Sequence, residues 1–360
     1  MHLLDNDHDI YLLLHVLNRC GKIVNRLWEW RAMMEVRKIV KIEKRHLGKT
    51  DLQVTPIGLG CWQFAGGKGF LVRSYWNSPP QEEVDKIVKT ALDGGINWFD
   101  TAEMYGRGSS ERALATALCK AGIENTDVVV ATKWSPVFRT ARNIPHTIDK
   151  RIECLSPCKI DLYQIHLPYA FSSVEAQMDA MAGLVKNGKI RYIGVSNFSA
   201  AQMRRAHAAL AKHGLPLASN QVIFNLLNRQ LETNGVLDAA KELNISIIAY
   251  SPLAQGLLTG KFHKNPELIQ KLPFIRRMRL QGHIKKTGNL IKRLEDIAGF
   301  HKCSLSEVAL SWVVHCQGNI ILAIPGATKI DQANQNVGAL TLKLTPKEMA
   351  TLDKESRILK

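Results

Sequence analysis

Eight short apolar runs, separated by segments with helical periodicity, constrain the fold of this chain more than any other feature of its sequence. Each run is rich in β-branched or aromatic residues and leads into a polar or small residue. Most of the runs start about 30 residues apart, the length that a strand, two loops and three turns of helix require. The runs are "VTPIGLG" (54–60), "INWFDTA" (96–102), "VVVATKW" (128–134), "IDLYQIHL" (160–167), "IRYIGVSN" (190–197), "SNQVIFN" (219–225), "ISIIAYSP" (245–252) and "IILAIPG" (320–326).

The segments between the runs have the period of amphipathic helices. In "EEVDKIVKTALDGG" (82–95) the apolar side chains fall at i, i+3, i+4, i+7 and i+8, and the glycine pair predicts the end of the helix. In "SAAQMRRAHAALAKHG" (199–214), Ser199 is a predicted N-cap and Gly214 a predicted stop. Strands that are apolar throughout and alternate with helices favour a parallel sheet covered on both faces.

Eight such units favour a closed barrel over an open doubly wound sheet. The open fold usually carries G-x-G-x-x-G after its first strand, whereas "GLGCWQ" (58–63) has Gln63 in place of the third glycine. We therefore predict an α/β fold, a single (β/α)8 TIM barrel. "KRHLGKTDLQV" (44–54) predicts a β-hairpin before the barrel. Residues 256–288 are predicted to form a long loop after the seventh strand, followed by helices in "LIKRLEDIAGFH" (290–301) and "SLSEVALSWVVH" (304–315).

Residues 1–43 do not fit the repeat and are predicted to be an N-terminal extension to a barrel domain spanning 44–360. The stretch "KIVNRLWEWRAMMEVRKIV" (22–40) is compatible with a basic amphipathic helix. Such a helix packs on its own protein, on a partner or on a membrane surface. A disordered extension and a start codon assigned too early are the alternatives.

Charge and cysteine content limit the class of protein. The chain has 48 basic and 32 acidic residues, a net charge of +16, but the basic residues are scattered and no nucleic-acid recognition motif accompanies them. No stretch of 18 uncharged apolar residues occurs, so no integral membrane segment is predicted. The seven cysteines include no C-x-x-C, which favours the reducing cytoplasm over a disulfide framework or a zinc site.

In a closed βα barrel, the chemistry lies at the carboxyl ends of the strands. Each of the eight ends carries a small, polar or aromatic group. Any one of these groups has a structural explanation, such as an ion pair between Asp100 and Lys133 or a satisfied core histidine at position 166. Read in order, the ends carry Cys61 and Trp62, Asp100, Lys133, His166, Ser196 and Asn197, Gln221, Tyr250 and Ser251, and Gly326.

Four titratable residues at this end suit the reduction of a carbonyl group. Tyr105 is a phenol with a reference pKa of about 10, and an adjacent Lys133 ammonium is expected to lower that pKa. Asp100 would offset the burial of Lys133 as its ion-pair partner. His166 could orient the carbonyl oxygen that Tyr105 protonates. The hydride has to come from a cofactor.

The motifs that carry these residues resemble the aldo-keto reductase superfamily over about residues 44–358. They include "GGINWFDTAEMYGRGSSE", "ATKW", "IDLYQIH", "GKIRYIGVSNF", "AYSPLAQGLLTGKF" and "IPGATKIDQANQNVGAL". The pattern resembles the branch that includes potassium-channel β-subunits and bacterial general-stress reductases. The resemblance implies NADPH-dependent reduction of aldehydes and ketones, with NADH as a possible second cofactor. It also implies a catalytic tetrad of Asp100, Tyr105, Lys133 and His166.

The resemblance further implies a cofactor site along the carboxyl ends of the later strands. Lys329 suits the 2′-phosphate of NADPH, and the helix after "PGATK" offers free N–H groups to a phosphate. Gln335 replaces a common Glu, Cys61 a common Thr, and Leu167 a frequent Trp. The implied cofactor residues are Cys61, Trp62, Ser196, Asn197, Gln221, Tyr250, Ser251, Leu253, Gln255, Gly256, Lys261, Gly326, Thr328, Lys329, Gln332, Gln335 and Asn336.

A substrate pocket is expected around Trp62, Trp76 and Trp134, together with part of the 256–288 loop. An aromatic lining favours a carbonyl compound with apolar surface. The alternative to a reductase is a nucleotide-sensing partner protein with slow turnover, as among the channel-associated members of the superfamily. The intact tetrad favours the reductase.

Overall fold

Parallel strands form the centre of the chain in the computed structural model, which describes residues 42–66, 78–123, 127–272 and 274–358. A hairpin of two short antiparallel strands precedes the parallel sheet, in agreement with the prediction. The hairpin strands are β1 (Arg45–His46) and β2 (Gln53–Val54). The later strands are β3 (Leu59–Gly60), β4 (Trp98–Asp100), β5 (Val129–Trp134), β6 (Leu162–Ile165), β7 (Tyr192–Ser196), β8 (Leu217–Ile223), β9 (Ser246–Tyr250), β10 (Cys316–Asn319) and β11 (Ile321–Ala323).

The eight parallel strands form one sheet whose two edges meet. The order is β11-β9-β8-β7-β6-β5-β4-β3, and neighbouring strands run parallel. Gly58 N–H donates to Ala323 O at 2.8 Å, and Gly60 N–H donates to Pro325 O at 3.0 Å. Parallel bridges join Ile57 to Ala323 and Gly60 to Gly326. These bonds connect the last strand to the first, and the predicted (β/α)8 barrel is confirmed.

Helices follow the strands as the repeat predicts. Capping boxes at Ser199 and Ser304 start two of them: each serine hydroxyl accepts from the backbone N–H three residues later, and the serine backbone N–H donates to the side chain of that residue. The helices are α1 (Gln81–Asp93), α2 (Ser109–Lys120), α3 (Asn143–Leu155), α4 (Val174–Lys186), α5 (Ala200–Ala211), α6 (Val236–Leu243), α7 (Lys261–Lys264), α8 (Phe274–His301), α9 (Leu305–His315), α10 (Ile330–Gly338) and α11 (Pro346–Arg357).

Alternation along the strands divides the core into two layers, because successive side chains of a strand point to opposite faces. Trp98, Ala131 and Leu162 pack together with Leu47 and Val54 of the hairpin region, so the hairpin closes the amino-terminal end of the barrel. Phe99, Val130 and Tyr163, the neighbours in sequence of the inner residues, belong to the larger core that the helices cover. The inward positions nearest the carboxyl ends of the strands carry polar side chains.

The predicted long loop is partly wrong. Residues 274–288 belong to the 28-residue helix α8, and short helices occupy 261–264 and 266–269. Helical turns within 254–259 are interrupted by left-handed Gln255 and Gly256. Gly282 and Gly288 lie within α8, and neither has a φ in the left-handed region. Leu280 and Leu294, on one face of α8, are buried. The first apolar run is also shorter as a strand than predicted, since only Leu59–Gly60 is β3.

Nearly all of the predicted extension, residues 1–43, lies outside the described residues, and its boundary stays a prediction. Among the helices that the structure describes, none is both long enough and apolar enough to span a membrane.

Candidate active site

A buried ion pair lies at the carboxyl ends of β4 and β5. Asp100 is 1% exposed and Lys133 is 0% exposed, and the Lys133 ammonium donates a hydrogen bond to Asp100 Oδ1. Lys133 Nζ also donates to Thr101 O at 2.8 Å. Both side chains point into the barrel because they occupy inward positions of neighbouring parallel strands. The predicted Asp100–Lys133 pair is therefore present.

Two glutamines hold the other oxygen of Asp100. Gln164 Nε2 donates to Asp100 Oδ2 at 2.9 Å, and Gln221 Nε2 donates to the same atom at 3.0 Å. Gln164 was not predicted from the sequence. The sequence feature that could have identified it is the alternation in β6, because Gln164 lies two residues before His166 and therefore on the same inward side. The carboxylate is thus fixed by three side-chain donors from three strands.

Tyr105 lies over this pair on the loop between β4 and α2. Its hydroxyl is 3.5 Å from Lys133 Nζ, and its ring centroid is 6.2 Å from that of Trp62. Ser110 N–H, in the first turn of α2, donates to Tyr105 O at 3.2 Å. The structure therefore brings the predicted tyrosine next to the buried ammonium and places Trp62 beside it.

The pKa values at the ion pair differ from the prediction in one respect. Burial raises the pKa of Tyr105 above its usual value, and the opposing effect of the Lys133 ammonium is smaller. Lys133 acts on the pKa of Tyr105 in the predicted direction, but burial outweighs it and the net change is upward. Burial opposes the charge of Lys133, but Asp100 and Tyr105 outweigh it, and the pKa of Lys133 is raised. Tyr105 is thus protonated and Lys133 charged at neutral pH.

His166 follows β6 and faces Tyr105 edge-on, with ring centroids 5.6 Å apart. Burial, with a smaller effect of Lys133, lowers the pKa of His166 to about 3, so the imidazole is neutral. The backbone N–H of His166 donates to Trp134 O at 3.0 Å. Its Nδ1 is buried and has no hydrogen-bond partner among the described residues. A neutral imidazole here can donate one hydrogen bond to an oxygen without adding charge.

A chain of polar side chains crosses the ends of β7, β8 and β9. Ser196 Oγ donates to Gln221 O at 2.9 Å, and Asn197 Nδ2 donates to Ser196 Oγ at 3.0 Å. Tyr250 Oη donates to Asn197 Oδ1 at 3.1 Å. Asn197 has a φ of 60°, in the left-handed region that Asn tolerates better than most residues. Four predicted cofactor residues are therefore next to one another.

The loop after β9 has an unusual run of left-handed residues. Ser251, Ala254, Gln255 and Gly256 have φ values of 51°, 47°, 57° and 91°. Asn225 Nδ2 fixes the start of the loop by donating to Ser251 O at 2.9 Å. Backbones that combine right- and left-handed residues turn successive N–H groups toward a common concave side, which suits an anion.

The amino terminus of α10 carries most of the remaining predicted cofactor residues. Thr328 N–H donates to Gln332 Oε1 at 2.7 Å, so Gln332 stabilises the turn into the helix. Asn336 is 1% exposed, and its Nδ2 has no partner within the described parts of the chain. Lys329, the N-cap residue, is exposed. The first turn also has backbone N–H groups that the helix itself leaves unpaired.

Two predicted site residues, Trp134 and Cys61, are buried instead of exposed at the mouth. Trp134 is fully buried in the outer core and donates to Asn143 Oδ1 at 3.1 Å, because it alternates with the inward Lys133. It does not line an open pocket. Cys61 is also fully buried, and its N–H already donates to Asp100 O at 2.8 Å. Trp76 lies outside the described residues.

Exposed apolar side chains surround the mouth. Phe138 is 86% exposed and Phe171 is 71% exposed, and their ring centroids are 6.3 Å apart. We call these two residues, together with Met104, Val137 and Tyr169, the apolar rim; all five are exposed. They lie on the loops after β4, β5 and β6, the strands that lead to Asp100, Lys133 and His166. Sequence reasoning missed this set.

An ion pair and backbone bonds connect the loops that carry the apolar rim. Arg139 Nη1 donates to both oxygens of Glu103, at 2.7 and 2.9 Å. Glu103 Oε2 also accepts from Ser135 N–H at 3.1 Å. Phe171 N–H donates to Arg139 O at 2.9 Å. The three loops therefore form one cross-linked frame around the site.

Comparison with known proteins identifies a family that covers most of the chain. Residues 56–357 match the Aldo/keto reductase family. Over 308 residues the chain is 36% identical to proteins named uncharacterized oxidoreductases from Mycobacterium bovis and Mycobacterium tuberculosis, covering 85% of this chain and 90% of each relative.

Two solved structures share the fold. A thermostable aldo-keto reductase crystallised with the inhibitor epalrestat has a TM-score of 0.70 and 28% identity, covering 87% of this chain and 99% of its own. An aldo/keto reductase from Klebsiella pneumoniae, crystallised with NADP and acetate, has a TM-score of 0.68 and 25% identity, covering 87% and 95%.

A closed parallel barrel, with an acid, a lysine, a tyrosine and a histidine at its carboxyl end, defines an oxidoreductase of the barrel type. The chain belongs to the aldo/keto reductase family. The resemblance in the sequence and the prediction of an NAD(P)H-dependent oxidoreductase are both confirmed at this level.

Proposed function

We propose that the protein reduces aldehydes and ketones to alcohols with NADPH, and that Tyr105 is the proton donor. The observation that carries this proposal is the convergence of a protonated Tyr105, a charged Lys133 and a neutral His166 at one end of the barrel. Each group has the protonation state that carbonyl reduction requires at neutral pH.

The roles of the residues follow from their contacts. His166 is suited to donate a hydrogen bond to the carbonyl oxygen, and Tyr105 to hold the same oxygen through its hydroxyl. As negative charge develops on that oxygen, the Tyr105 proton transfers to it, and the Lys133 ammonium 3.5 Å away stabilises the phenolate that remains. Asp100 keeps Lys133 charged and in place. NADPH, when bound, supplies the hydride that adds to the carbonyl carbon.

The residues that the cofactor would meet suit a dinucleotide. The Asn336 amide is buried and lacks a partner among described residues, as expected of a group that binds a ligand. The left-handed loop 251–256 and the amino terminus of α10 both suit phosphate groups. Lys329 is exposed beside that terminus and suits the additional 2′-phosphate. Ser196, Asn197 and Gln221 suit the amide of the nicotinamide.

The apolar rim favours a substrate with an aromatic or long aliphatic group attached to the carbonyl. Phe138 and Phe171 are large apolar surfaces that face solvent next to the strands of the tetrad. Their burial against a ligand is favourable in proportion to the apolar area removed from water. A short, polar carbonyl compound would leave the rim exposed and gain nothing from it.

Fluorescence titration of the full chain with NADPH and NADH, followed by turnover with a series of aldehydes, tests the proposal. We expect tight NADPH binding, weaker NADH binding and oxidation of NADPH that depends on the aldehyde. Tight binding without turnover of any aldehyde or ketone would overturn the reductase and favour a nucleotide-sensing role. Failure to bind either nucleotide would overturn both.

A further inference from the structure

A second buried carboxylate lies behind the site. Glu111 is in the first turn of α2, six residues after Tyr105, and is 0% exposed. Its Oε1 accepts from Thr132 Oγ1 at 2.6 Å, and its Oε2 accepts from Arg151 Nη1 of α3. None of the roles proposed above uses this carboxylate, although burying a charge away from water is costly.

The bonds of Glu111 connect the two segments whose spacing matters for the reaction. Thr132 precedes Lys133 in β5 and points to the opposite face of the sheet. Glu111 therefore ties the helix that follows the Tyr105 loop to the strand that carries Lys133. Its neighbour Ser110 adds a second tie, since Ser110 Oγ donates to Cys61 O at 2.6 Å.

The Tyr105 loop is held at Glu103, whose N–H donates to Lys133 O at 3.2 Å and whose carboxylate pairs with Arg139, and at its junction with α2. Tyr105 N–H donates to Ala102 O at 3.0 Å, within the loop, and Tyr105 O accepts from Ser110 N–H at 3.2 Å. The second bond leads directly into the turn that Glu111 anchors. A shift of this turn would move the Tyr105 hydroxyl relative to the ammonium of Lys133.

We propose that Glu111 is a positioning residue that, through Thr132 and Arg151, holds the Tyr105 hydroxyl at its working distance from Lys133. The inference rests on the proposed role of Tyr105. It assigns Glu111 no contact with substrate or cofactor. Displacement of a reacting group by about 1 Å can cost about 100-fold in rate, so loss of the tie is expected to lower kcat by about 10- to 100-fold.

Charged and titratable groups face Glu111 from several elements. Arg151 comes from α3, Arg112 from α2 itself, Glu103 from the Tyr105 loop and Tyr163 from β6. Burial, only partly offset by Arg151, raises the pKa of Glu111 to about 7. The pKa of His166 is far lower and those of Tyr105 and Lys133 are higher than usual, so these three do not change charge near pH 7. Below pH 7, protonation of Glu111 weakens its bond to Arg151.

The test is the pH profile of kcat for aldehyde reduction by the full chain with saturating NADPH, for the wild type and Glu111→Gln. We expect the wild-type kcat to fall as the pH drops through about 7. Glu111→Gln imitates the protonated form, so its kcat should be low and lack this inflection, with the Kd for NADPH and the KM for the aldehyde within about twofold of wild type. A wild-type kcat and an unchanged inflection in the variant would overturn the proposal.

Thr132→Val is a second test of the proposal if Glu111→Gln does not fold. It keeps the shape of the side chain and removes one bond to Glu111, so kcat should fall severalfold with little change in KM. A Thr132→Val variant with wild-type kcat would overturn the proposal. If the wild-type protein shows no turnover, the proposed function fails instead.

Asp161→Asn is the matched control. Asp161 is also a buried carboxylate with an arginine partner, since Arg191 Nη1 donates to its Oδ1 at 2.7 Å. It precedes β6, at the opposite end of the barrel from the tetrad. Asp161→Asn should lower the melting temperature and leave kcat and its pH profile unchanged. An equal loss of kcat in this control would show that Glu111 acts through general stability, which would also overturn the proposal.

Discussion

Tyr105 is the residue on which the proposed reaction depends most directly. Its hydroxyl is the nearest side-chain proton donor to the buried Lys133 ammonium among the contacts that Lys133 makes. Asp100 is a carboxylate and Thr101 contributes only a carbonyl oxygen, so neither can replace the phenol. The raised pKa of Tyr105 keeps the proton on the phenol until negative charge develops on the substrate.

Tyr105→Phe is expected to lower kcat by about 100- to 10,000-fold, because it removes a general acid. The Kd for NADPH should change less than about twofold, because the proposed cofactor contacts come from other strands. Stopped-flow turnover and fluorescence titration measure the two quantities. Wild-type turnover in this variant would show that another group supplies the proton.

His166 should make stability depend on pH. Its pKa is about 3 in the folded protein and about 6.5 in the unfolded chain, so the unfolded chain binds more protons between these values. The contribution of His166 to the free energy of unfolding therefore falls as the pH falls through 6.5. Linkage gives a loss on the order of 2 kcal/mol between pH 7 and pH 5.

Urea unfolding at pH 7 and pH 5 measures this loss in the wild type and in His166→Asn. Between pH 7 and pH 5, the change in the free energy of unfolding of His166→Asn should be less unfavourable than that of the wild type by this amount. His146→Asn, at an exposed histidine of α3, should behave like the wild type. Equal pH dependence in the wild type and His166→Asn would show that His166 is not held neutral by the fold.

At the scale of elements, the loops of the apolar rim support the proposed contact with a substrate. Phe138 has a φ of 57°, which is unfavourable for a bulky side chain. The Arg139–Glu103 pair and the bond from Phe171 N–H to Arg139 O hold the strained loop in place. Strained residues that keep a large ring in solvent are often found at binding sites.

The double change of Phe138 and Phe171 to Ala should lower kcat/KM for a long aliphatic or aromatic aldehyde by about tenfold or more, since much apolar contact is lost. The kcat/KM for a two- or three-carbon aldehyde should change little. Phe300→Ala is a control, because this exposed phenylalanine lies at the carboxyl end of α8, away from the mouth. Equal losses for short and long aldehydes would contradict a role in substrate preference.

The amino terminus of α10 should distinguish the two nucleotides. Lys329→Met is expected to raise the Kd for NADPH by about tenfold or more, the usual effect of losing a hydrogen bond to a charged group. The Kd for NADH, which lacks the 2′-phosphate, should stay within about twofold. Lys150→Met, at an exposed position of α3, should change neither value. Fluorescence titration measures both, and parallel losses for the two nucleotides would contradict the role of Lys329.

At the scale of the whole molecule, stability depends on closure of the barrel between β3 and β11. A Cβ added at Gly60 would come within 2.7 Å of Ile324 O, so the strands can approach only because no side chain is present there. Gly60→Ala should destabilise the protein by about 1 to 3 kcal/mol through overpacking. Gly183→Ala, in the interior of α4 with nothing within 4 Å of the new Cβ, should stabilise it by about 0.5 to 1 kcal/mol. Urea unfolding compares the two, and stabilisation by Gly60→Ala would contradict the closure argument.

Sequence reasoning succeeded where local periodicity carries the information. The hairpin, the helix capped by Ser199, the helix in 304–315 and all eight barrel strands follow from alternation, helical period and spacing. It was wrong for residues 274–288, which were predicted to be part of a loop, whereas one buried face keeps that segment helical. It was also wrong to expect Trp134 at the mouth. Adjacent residues of a strand point to opposite faces, so Trp134 lies on the face opposite to that of Lys133.

The sequence by itself determined the order of strands and helices, and with it the end of the barrel at which Asp100, Tyr105, Lys133 and His166 appear. These features depend on residues close together in the chain. Only the tertiary structure decided the pKa values of Tyr105 and His166, the tie through Glu111 and the cross-linked loops of the apolar rim. Each of these depends on groups that are distant in sequence, because burial and electrostatic interactions are properties of the packed barrel.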